Sequence, residues 1–279
     1  FHEYSHIAHL DHATGIPGAL NTVLGNVFKP NRALPRWLIE GLATWVESRD
    51  GRGGRVGSSR HRMVLRTAAL SGALPSLSGL TGRPVAPPRG DAWYIYGGAL
   101  VDHIARHAGD EVLKAFVAAY GEKLVPYGMN ILARQTTGKD LVTWYEALLA
   151  EIAQEAQKTH EALVDEGLIA GSPLTKSGER KSYPRFTPDG TRLLYLRSDG
   201  HGPSRLIQRR LDGDTSEETV FRCDGGCGRF AVGPRGGELF ITVGRPFRRY
   251  NRFRRLGTIP LEQQLERGDV PLAEGGLRA

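Results

Sequence analysis

Hydrophobic positions in the first part of the chain recur at helical spacing. In PRWLIEGLATWVES, apolar side chains from Trp37 to Val46 follow the i, i+4, i+8 pattern of one buried helix face, and Pro35 stands near the start. The stretch KDLVTWYEALLAEIAQEAQKTHEALVDEG, residues 139–167, keeps this periodicity without a break and predicts a closing helix of about seven turns. Residues 1–166 are therefore predicted to be mainly helical.

Further helices are predicted between glycine- and proline-rich segments. HEYSHIAHL, AWYIYGGALVDHIARHAG and DEVLKAFVAAYG have helical patterns, and the last two end in glycines placed like C-caps. TGIPG, KPNRALP and TGRPVAPPRGD separate the periodic stretches and are typical of loops.

Near residue 166 the pattern changes to that of short antiparallel strands. In FTPDGTRLLYLRSDG, a Pro-Asp-Gly turn leads into a short apolar run and a second Gly-containing turn. The segment FTPDGTRLLYL aligns with VGPRGGELFIT at an offset of 46 residues. A period in the forties is typical of the four-stranded blades of a propeller, which two copies cannot close. Residues 167–279 are therefore predicted to form β-meanders of a partial propeller, and the chain as a whole is predicted to be an α+β, multidomain protein.

Composition agrees with a folded globular chain, since 40% of the 279 residues are hydrophobic and 24% are charged. No run of about eighteen apolar residues occurs, and no signal-peptide pattern opens the sequence. The first residue is Phe1 and stands at the start of a predicted helix, so we expect the chain to be a fragment or a processed product of a longer protein.

The net charge of +7 is concentrated in one segment. RPFRRYNRFRR, from Arg245 to Arg255, holds six arginines with aromatic residues between them. This pattern allows binding to nucleic acid or to an anionic lipid surface, but the segment stands alone and no nucleic-acid fold is indicated. We therefore interpret it as a solvated strand or inter-blade loop, with an anionic surface as the alternative partner and nucleic acid disfavoured.

The two cysteines, Cys223 and Cys227 in CDGGC, are too few for a disulfide framework or a four-cysteine zinc site. We interpret them as incidental thiols or one local disulfide in preference to a metal or redox motif.

The strongest chemical signal is the sequence HEYSH. Residues four apart on a helix share a face, so His2 and His6 can present their imidazoles to one metal ion, with Glu3 beside them. Zinc then needs a third ligand and an open position. Glu40 is the best candidate, because it is a carboxylate in an apolar helix, where burial is costly without a metal or a partner. The small residues Gly41 and Ala43 beside it would let another helix approach.

HEYSH followed by LPRWLIEGLATWVES resembles the gluzincin branch of the zincin metallopeptidases, whose second motif reads W-x-x-E-G-x-A. The resemblance covers residues 1 to about 160 and implies His2, His6 and Glu40 as zinc ligands and Glu3 as the general base. His6 and Glu40 are 34 residues apart, and the intervening residues 14–35 are expected to form a loop. The family's β-sheet precedes the first motif and is not contained in this sequence.

Other residues are assigned supporting roles. By the same resemblance, Tyr96 is the first choice for the group that stabilises the oxyanion, Tyr94 the second and His103 a weaker alternative; core packing is the other interpretation of the tyrosines. Glu47, on the same helix face as Glu40, can orient a ligand or be a solvated carboxylate. We interpret His9 as a packing or supporting residue and not a fourth ligand.

The second part resembles TolB-like propeller repeats, in which PRFTPDGTRLLYLRSDG is similar to the pattern P-x-F-S-P-D-G-x-x-I-A-F. This resemblance implies a surface that binds a protein partner or substrate, without catalytic residues. The sequence as a whole therefore predicts a zinc-dependent peptidase of peptide or protein substrates, joined to a binding module. The alternative is a non-catalytic binding or scaffold protein with a structural zincin-like domain. Family resemblance also suggests an extracytoplasmic location, periplasmic or secreted.

Overall fold

The computed structural model describes residues 1–49, 53–85, 87–212, 216–223, 226–247 and 251–261, of which 245–247 and 251–255 are described by their backbone alone. Contacts divide the chain into two compact units, Phe1–Ala170 and Gly171–Ala279. The first is helical and the second consists of antiparallel strands. This mixed α+β composition confirms the predicted fold class at that level.

The described residues of the first unit form nine α-helices and a short 3₁₀ helix, Pro30–Ala33. The helices are α1 His2–Leu10, α2 Gly15–Leu24, α3 Arg36–Ser48, α4 Ser59–Leu70, α5 Leu77–Thr81, α6 Asp91–Ala108, α7 Asp110–Gly121, α8 Met129–Thr137 and α9 Leu141–Asp165. None of these described helices is both long and apolar enough to cross a membrane.

Helix α9 is the long closing helix that the sequence predicts, and it spans 25 residues. Its start is fixed by Asp140, whose side chain accepts a hydrogen bond from the backbone N–H of Thr143 at 2.9 Å. The side chains of Leu141, Trp144 and Leu148 are buried, as the i, i+3, i+7 spacing requires.

Helix α2 corrects the expectation that residues 14–35 form a loop. Gly15–Leu24 is helical although it contains Pro17. A proline in the first helical turn removes an N–H that has no partner within the helix, so it is tolerated there. The glycines and the proline in TGIPG therefore mark a helix start instead of a loop.

Helix α3 lies in the core of the first unit and crosses α6 at very close range. A Cβ atom added to Gly41 would lie 2.5 Å from the carbonyl carbon of Gly97, which leaves no room for a side chain at the crossing. Trp37 and Leu100, one on each of the two helices, are almost fully buried. The prediction that Gly41 allows a helix to approach is confirmed, and this packing fixes α3, which carries Glu40.

The second unit contains two antiparallel sheets in its described residues, and neither closes into a barrel. The strands are β1 Arg180–Phe186, β2 Arg192–Ser198, β3 Ser204–Arg210, β4 Glu217–Cys223, β5 Cys227–Val232, β6 Glu238–Phe247 and β7 Asn251–Pro260. The first sheet has the order β1-β2-β3-β4 and the second β5-β6-β7. Leu194, Leu206, Ile241 and Ile259 belong to one buried apolar cluster of this unit.

The two segments aligned at an offset of 46 residues have the same local structure. Gly190 lies in the turn between β1 and β2, and Gly236 lies in the turn between β5 and β6. Both have positive φ angles, 71° and 78°, and each donates its backbone N–H to the carbonyl oxygen three residues earlier at 2.9 Å. The internal similarity therefore extends from sequence to two strand pairs with equivalent turns.

Cys223 and Cys227 form a disulfide with 5.2 Å between their Cα atoms, which is one of the two interpretations left open by the sequence.

The side chains of the arginine-rich segment from Arg245 to Arg255 lie outside the described part of the structure.

Candidate metal centre

Two histidines of α1 and one glutamate of α3 meet at a single point. The Nε2 atoms of His2 and His6 are 3.1 Å apart. Oε2 of Glu40 lies 3.4 Å from Nε2 of His2 and 3.2 Å from Nε2 of His6. These three atoms form one of two groups of His and Glu side chains in the described residues that can hold a metal ion.

The triangle of donor atoms has the dimensions of a zinc site. Zinc bonds of about 2.0–2.1 Å in a tetrahedron separate any two ligand atoms by about 3.3 Å. The three observed separations, 3.1, 3.2 and 3.4 Å, match this edge length. Two imidazole nitrogens and one carboxylate oxygen are also the donor set of a catalytic zinc site, which leaves a fourth position open.

One carboxylate oxygen of Glu40 has no hydrogen-bond partner at this cluster. The residue is only 7% exposed, and its Oε2 is buried without a hydrogen-bond partner. Its other oxygen, Oε1, accepts a long hydrogen bond of 3.4 Å from Nε of Arg36. A buried carboxylate oxygen without a partner costs free energy, and a metal ion between Oε2 and the two histidines would remove that cost. The residues present therefore fit zinc.

The other nitrogen of His2, Nδ1, contacts two residues of opposite charge. Oε2 of Glu47 lies 3.2 Å from Nδ1, and Nη2 of Arg55 lies 2.7 Å from it. When Nδ1 carries the proton it can donate to Glu47, and Nε2 keeps its lone pair for a metal. When the proton is on Nε2, Nδ1 can accept from Arg55. The two neighbours therefore favour opposite tautomers of His2.

Glu47 and Arg55 also bind each other. Arg55 donates from Nε to Oε1 of Glu47 at 2.6 Å and from Nη2 to Oε2 at 2.9 Å, a bidentate pair. Burial opposes the charge on Glu47, but the hydrogen bonds and charge of Arg55 outweigh it and lower the pKa of the carboxyl group. Glu47 is therefore ionised and beside His2, in agreement with its predicted orienting position.

Tyr94, on α6, lies at the cluster. Its ring centroid is 5.9 Å from that of His2, and the guanidinium of Arg55 stacks over it at 4.7 Å. Burial, followed by the charge of Glu40, raises the pKa of the Tyr94 hydroxyl. The hydroxyl therefore keeps its proton at neutral pH and can act as a donor.

The structure does not bring Tyr96 or His103 to this cluster, which corrects the order of the expected oxyanion donors. Tyr96 is 1% exposed in the helical core, where burial raises the pKa of its hydroxyl. Residues two apart on a helix point about 200° apart, so Tyr96 cannot share the direction of Tyr94. His103 belongs to the other His and Glu group, with His107 and Glu151. Core packing, the alternative interpretation, describes Tyr96.

Glu3 and His9 occupy different positions on α1. Glu3 follows His2 directly and its side chain is exposed. His9 is half-buried, and its Nε2 has no hydrogen-bond partner. Burial, with smaller contributions from His6 and His12, lowers the pKa of His9 to about 4. His9 is therefore neutral, and it is not among the three donors of the cluster.

Arg55 is the site residue that the sequence reasoning missed. It follows Gly53 and Gly54, whose φ angles of 117° and 101° suit glycine, and a Cβ on Gly54 would lie 2.8 Å from the backbone oxygen of Glu47. This backbone conformation brings Arg55 back to the end of α3. The glycines in RDGRGGR were a signal for a tight turn, but not for its direction.

No family model matches the chain, and no curated protein matches it. The donor set itself indicates what the site can do. A site with two imidazoles, one carboxylate and an open position can activate water, and the tyrosine hydroxyl beside it can donate a hydrogen bond to a developing negative charge.

Proposed function

We propose that this chain hydrolyses peptide bonds with a zinc ion held by His2, His6 and Glu40. The observation that carries the proposal is the triangle of donor atoms with edges of 3.1, 3.2 and 3.4 Å, closed by a buried Glu40 oxygen without a hydrogen-bond partner. When bound, zinc would supply Lewis-acid polarisation of the scissile carbonyl and a lowered pKa of water.

Glu3 is proposed as the general base. It lies on α1 directly after His2, about 60° around the helix from His6, and its carboxylate is exposed to solvent. From this position it can take a proton from the attacking water and later deliver it to the leaving amine. A carboxylate serves both steps because the proton it gains in the first is the proton it gives up in the second.

Tyr94 is proposed as the donor to the oxyanion. Its hydroxyl is near Glu40 and keeps its proton because its pKa is raised. The stacked Arg55 guanidinium limits the motion of the ring. A rigidly held hydroxyl stabilises charge that develops in the transition state without the reorganisation that water would need.

Glu47 is proposed to hold His2 in the tautomer that leaves Nε2 free. The Arg55 pair keeps Glu47 ionised and fixed, so a hydrogen bond from Nδ1 of His2 also sets the orientation of the imidazole ring.

The second unit, which consists of antiparallel strands, is proposed to bind a protein partner or the substrate, as its similarity to propeller repeats suggests.

Zinc content and peptidase activity of the purified chain, measured together, test this proposal. The wild type is expected to hold zinc at the His2 cluster, and His6→Ala and Glu40→Gln are expected to lose that zinc and all hydrolysis. Glu3→Gln is the matched control, since it should keep the zinc and lose activity by about 10²–10⁴-fold. Retention of the same zinc by both His6→Ala and Glu40→Gln would reject the assigned ligands. A zinc-loaded wild type without activity on any peptide would favour the non-catalytic binding alternative.

A further inference from the structure

A second group of metal-ligating side chains lies between α6 and α9. His103 and His107 are four residues apart on α6, and Glu151 projects from α9. One donor atom from each lies within 4.8 Å of the others. They line a cavity of about 690 Å³ that reaches the surface, since His107 is exposed while His103 is buried.

The contact between His103 and Glu151 cannot be one between two lone pairs. Nδ1 of His103 lies 2.6 Å from Oε2 of Glu151. At this distance two lone pairs would repel each other, so either Nδ1 carries a proton that the carboxylate accepts, or the two atoms move apart and share a metal ion. The His103 side chain is only 5% exposed, so water does not screen this contact efficiently.

His107 has one nitrogen available for a ligand bond. Its Nδ1 lies 2.8 Å from the backbone oxygen of His103. A carbonyl oxygen only accepts, so Nδ1 carries the proton and Nε2 keeps its lone pair. A backbone carbonyl that fixes the tautomer in this way is a usual companion of metal-binding histidines.

The arrangement repeats that of the first cluster. In both, two histidines four apart on one helix face a glutamate from another helix. In both, an arginine is bound to Oε1 of that glutamate and Oε2 faces a histidine nitrogen: Arg36 binds Glu40 at 3.4 Å, and Arg106 binds Glu151 at 2.8 Å. Arg106 also donates a hydrogen bond from Nε to Oδ2 of Asp102 at 2.9 Å, which offsets its charge.

We infer that His103, His107 and Glu151 form a second site for a divalent transition metal, independent of the site at His2. Two imidazoles and a carboxylate suit zinc, cobalt, nickel or copper and disfavour magnesium or calcium. Nδ1 of His103 and Oε2 of Glu151, 2.6 Å apart, are closer than the 3.1–3.4 Å that separates the donor atoms of the first cluster, so these two side chains must move apart to admit an ion. The second site therefore binds more weakly than the first and ties α6 to α9 when occupied.

Cobalt(II) binding to the untagged full chain tests this inference, because cobalt is an accepted substitute for zinc and its absorption reports coordination by nitrogen and oxygen. Titration is followed by equilibrium dialysis and visible absorption in wild type, His107→Ala and Glu151→Gln. His107 is exposed, so its replacement should leave the fold intact, which circular dichroism checks. His160→Ala is the matched control, since His160 is an exposed histidine of α9 outside the cluster.

The wild type is expected to bind two cobalt ions per chain. His107→Ala and Glu151→Gln should each lose the weaker ion, with its affinity reduced at least about tenfold, while His160→Ala keeps both. Glu40→Gln should lose the tighter ion alone, so failure of one site is distinguishable from failure of the other. An unchanged cobalt count and affinity in both His107→Ala and Glu151→Gln would overturn the inference and leave a shared proton as the charge between His103 and Glu151.

Discussion

Gly41 of α3 and Gly97 of α6 face each other so closely that a Cβ on Gly41 would lie 2.5 Å from the carbonyl carbon of Gly97. The next residue towards the N-terminus of α3 is Glu40, and α6 carries Tyr94. The close crossing therefore sets how near α3, which carries Glu40, can come to α6, which carries Tyr94.

Gly41→Ala should consequently destabilise the chain by about 1–3 kcal/mol, because the added methyl group must displace the backbone of α6. It should also weaken metal binding, since Glu40 moves with α3. Urea unfolding measures the first effect and metal titration the second. Gly82→Ala is the control, because a Cβ at Gly82 meets nothing within 4 Å and its φ is negative; it should change stability by less than about 0.5 kcal/mol. Equal stability of the two variants would contradict the close crossing.

The capping residue of α9 predicts a dependence of stability on acid pH. Hydrogen bonds from Thr143, followed by one from Arg134, lower the pKa of Asp140 to about 2. A carboxyl group with a lower pKa in the folded than in the unfolded chain stabilises the fold above its unfolded pKa of about 3.9. That contribution is lost as the pH falls through about 2.

Asp140→Asn keeps a capping oxygen but has no charge to lose. Between pH 4 and pH 2, thermal unfolding of the wild type should therefore lose more stability than that of Asp140→Asn, and the two curves should converge at the acid end. Parallel curves over this interval would show that Asp140 does not have a lowered pKa.

Metal removal should lower stability only where the ligands are complete. A ligand that binds the folded chain alone stabilises it by about 2.7 kcal/mol at a free concentration of one hundred times its dissociation constant. With His107→Ala as the background, so that only the first site remains, a chelator should lower the melting temperature. The same background with Glu40→Gln should show no chelator effect. A chelator-induced shift of equal size in both would mean that the stabilising metal does not bind at Glu40.

The sequence predicted which three side chains come together better than it predicted their surroundings, for physical reasons that can be traced to residues. The turn spacing of His2 and His6 and the costly carboxylate of Glu40 are local signals, and the structure brings these three atoms together. The choice between Tyr94 and Tyr96 depended on the rotation of α6 about its axis. The Gly41–Gly97 crossing sets this rotation, and the local sequence pattern does not reveal it. The position of Arg55 depends on the path of a glycine-rich turn. Helix α2 was missed because its glycines and proline were interpreted as loop signals.

Substitution of each of the two tyrosines of α6 tests whether Tyr94 or Tyr96 donates a hydrogen bond to the oxyanion. Tyr94→Phe should lower kcat by about 10²–10³-fold with little change in zinc content, since it removes a donor to the transition state and no ligand. Tyr96→Phe should leave kcat nearly unchanged, because its hydroxyl lies in the core. Steady-state kinetics on one peptide substrate, with zinc analysis of the same samples, decides between them. The reverse order of effects would restore Tyr96 as the donor.

The contacts of His2 predict that its binding to metal depends on Glu47. The carboxylate lies 3.2 Å from Nδ1 and favours the tautomer whose Nε2 can bind a metal, whereas Arg55 at 2.7 Å favours the other. Glu47→Gln replaces a charged acceptor by a weaker neutral one and leaves Arg55 without its bidentate partner. We expect zinc affinity at the first site to fall by about 10–100-fold, without loss of the site.

Glu146→Gln is the control for this change, because Glu146 is an exposed glutamate on α9 and its replacement removes the same charge from the chain. Competition with a chromophoric zinc chelator measures both affinities, with His107→Ala as the background so that one site is observed. If Glu47→Gln and Glu146→Gln reduce affinity equally, the effect of Glu47 is one of net charge. A selective loss in Glu47→Gln, partly restored when Arg55→Met removes the competing donor, would identify the tautomer of His2 as the property that Glu47 controls.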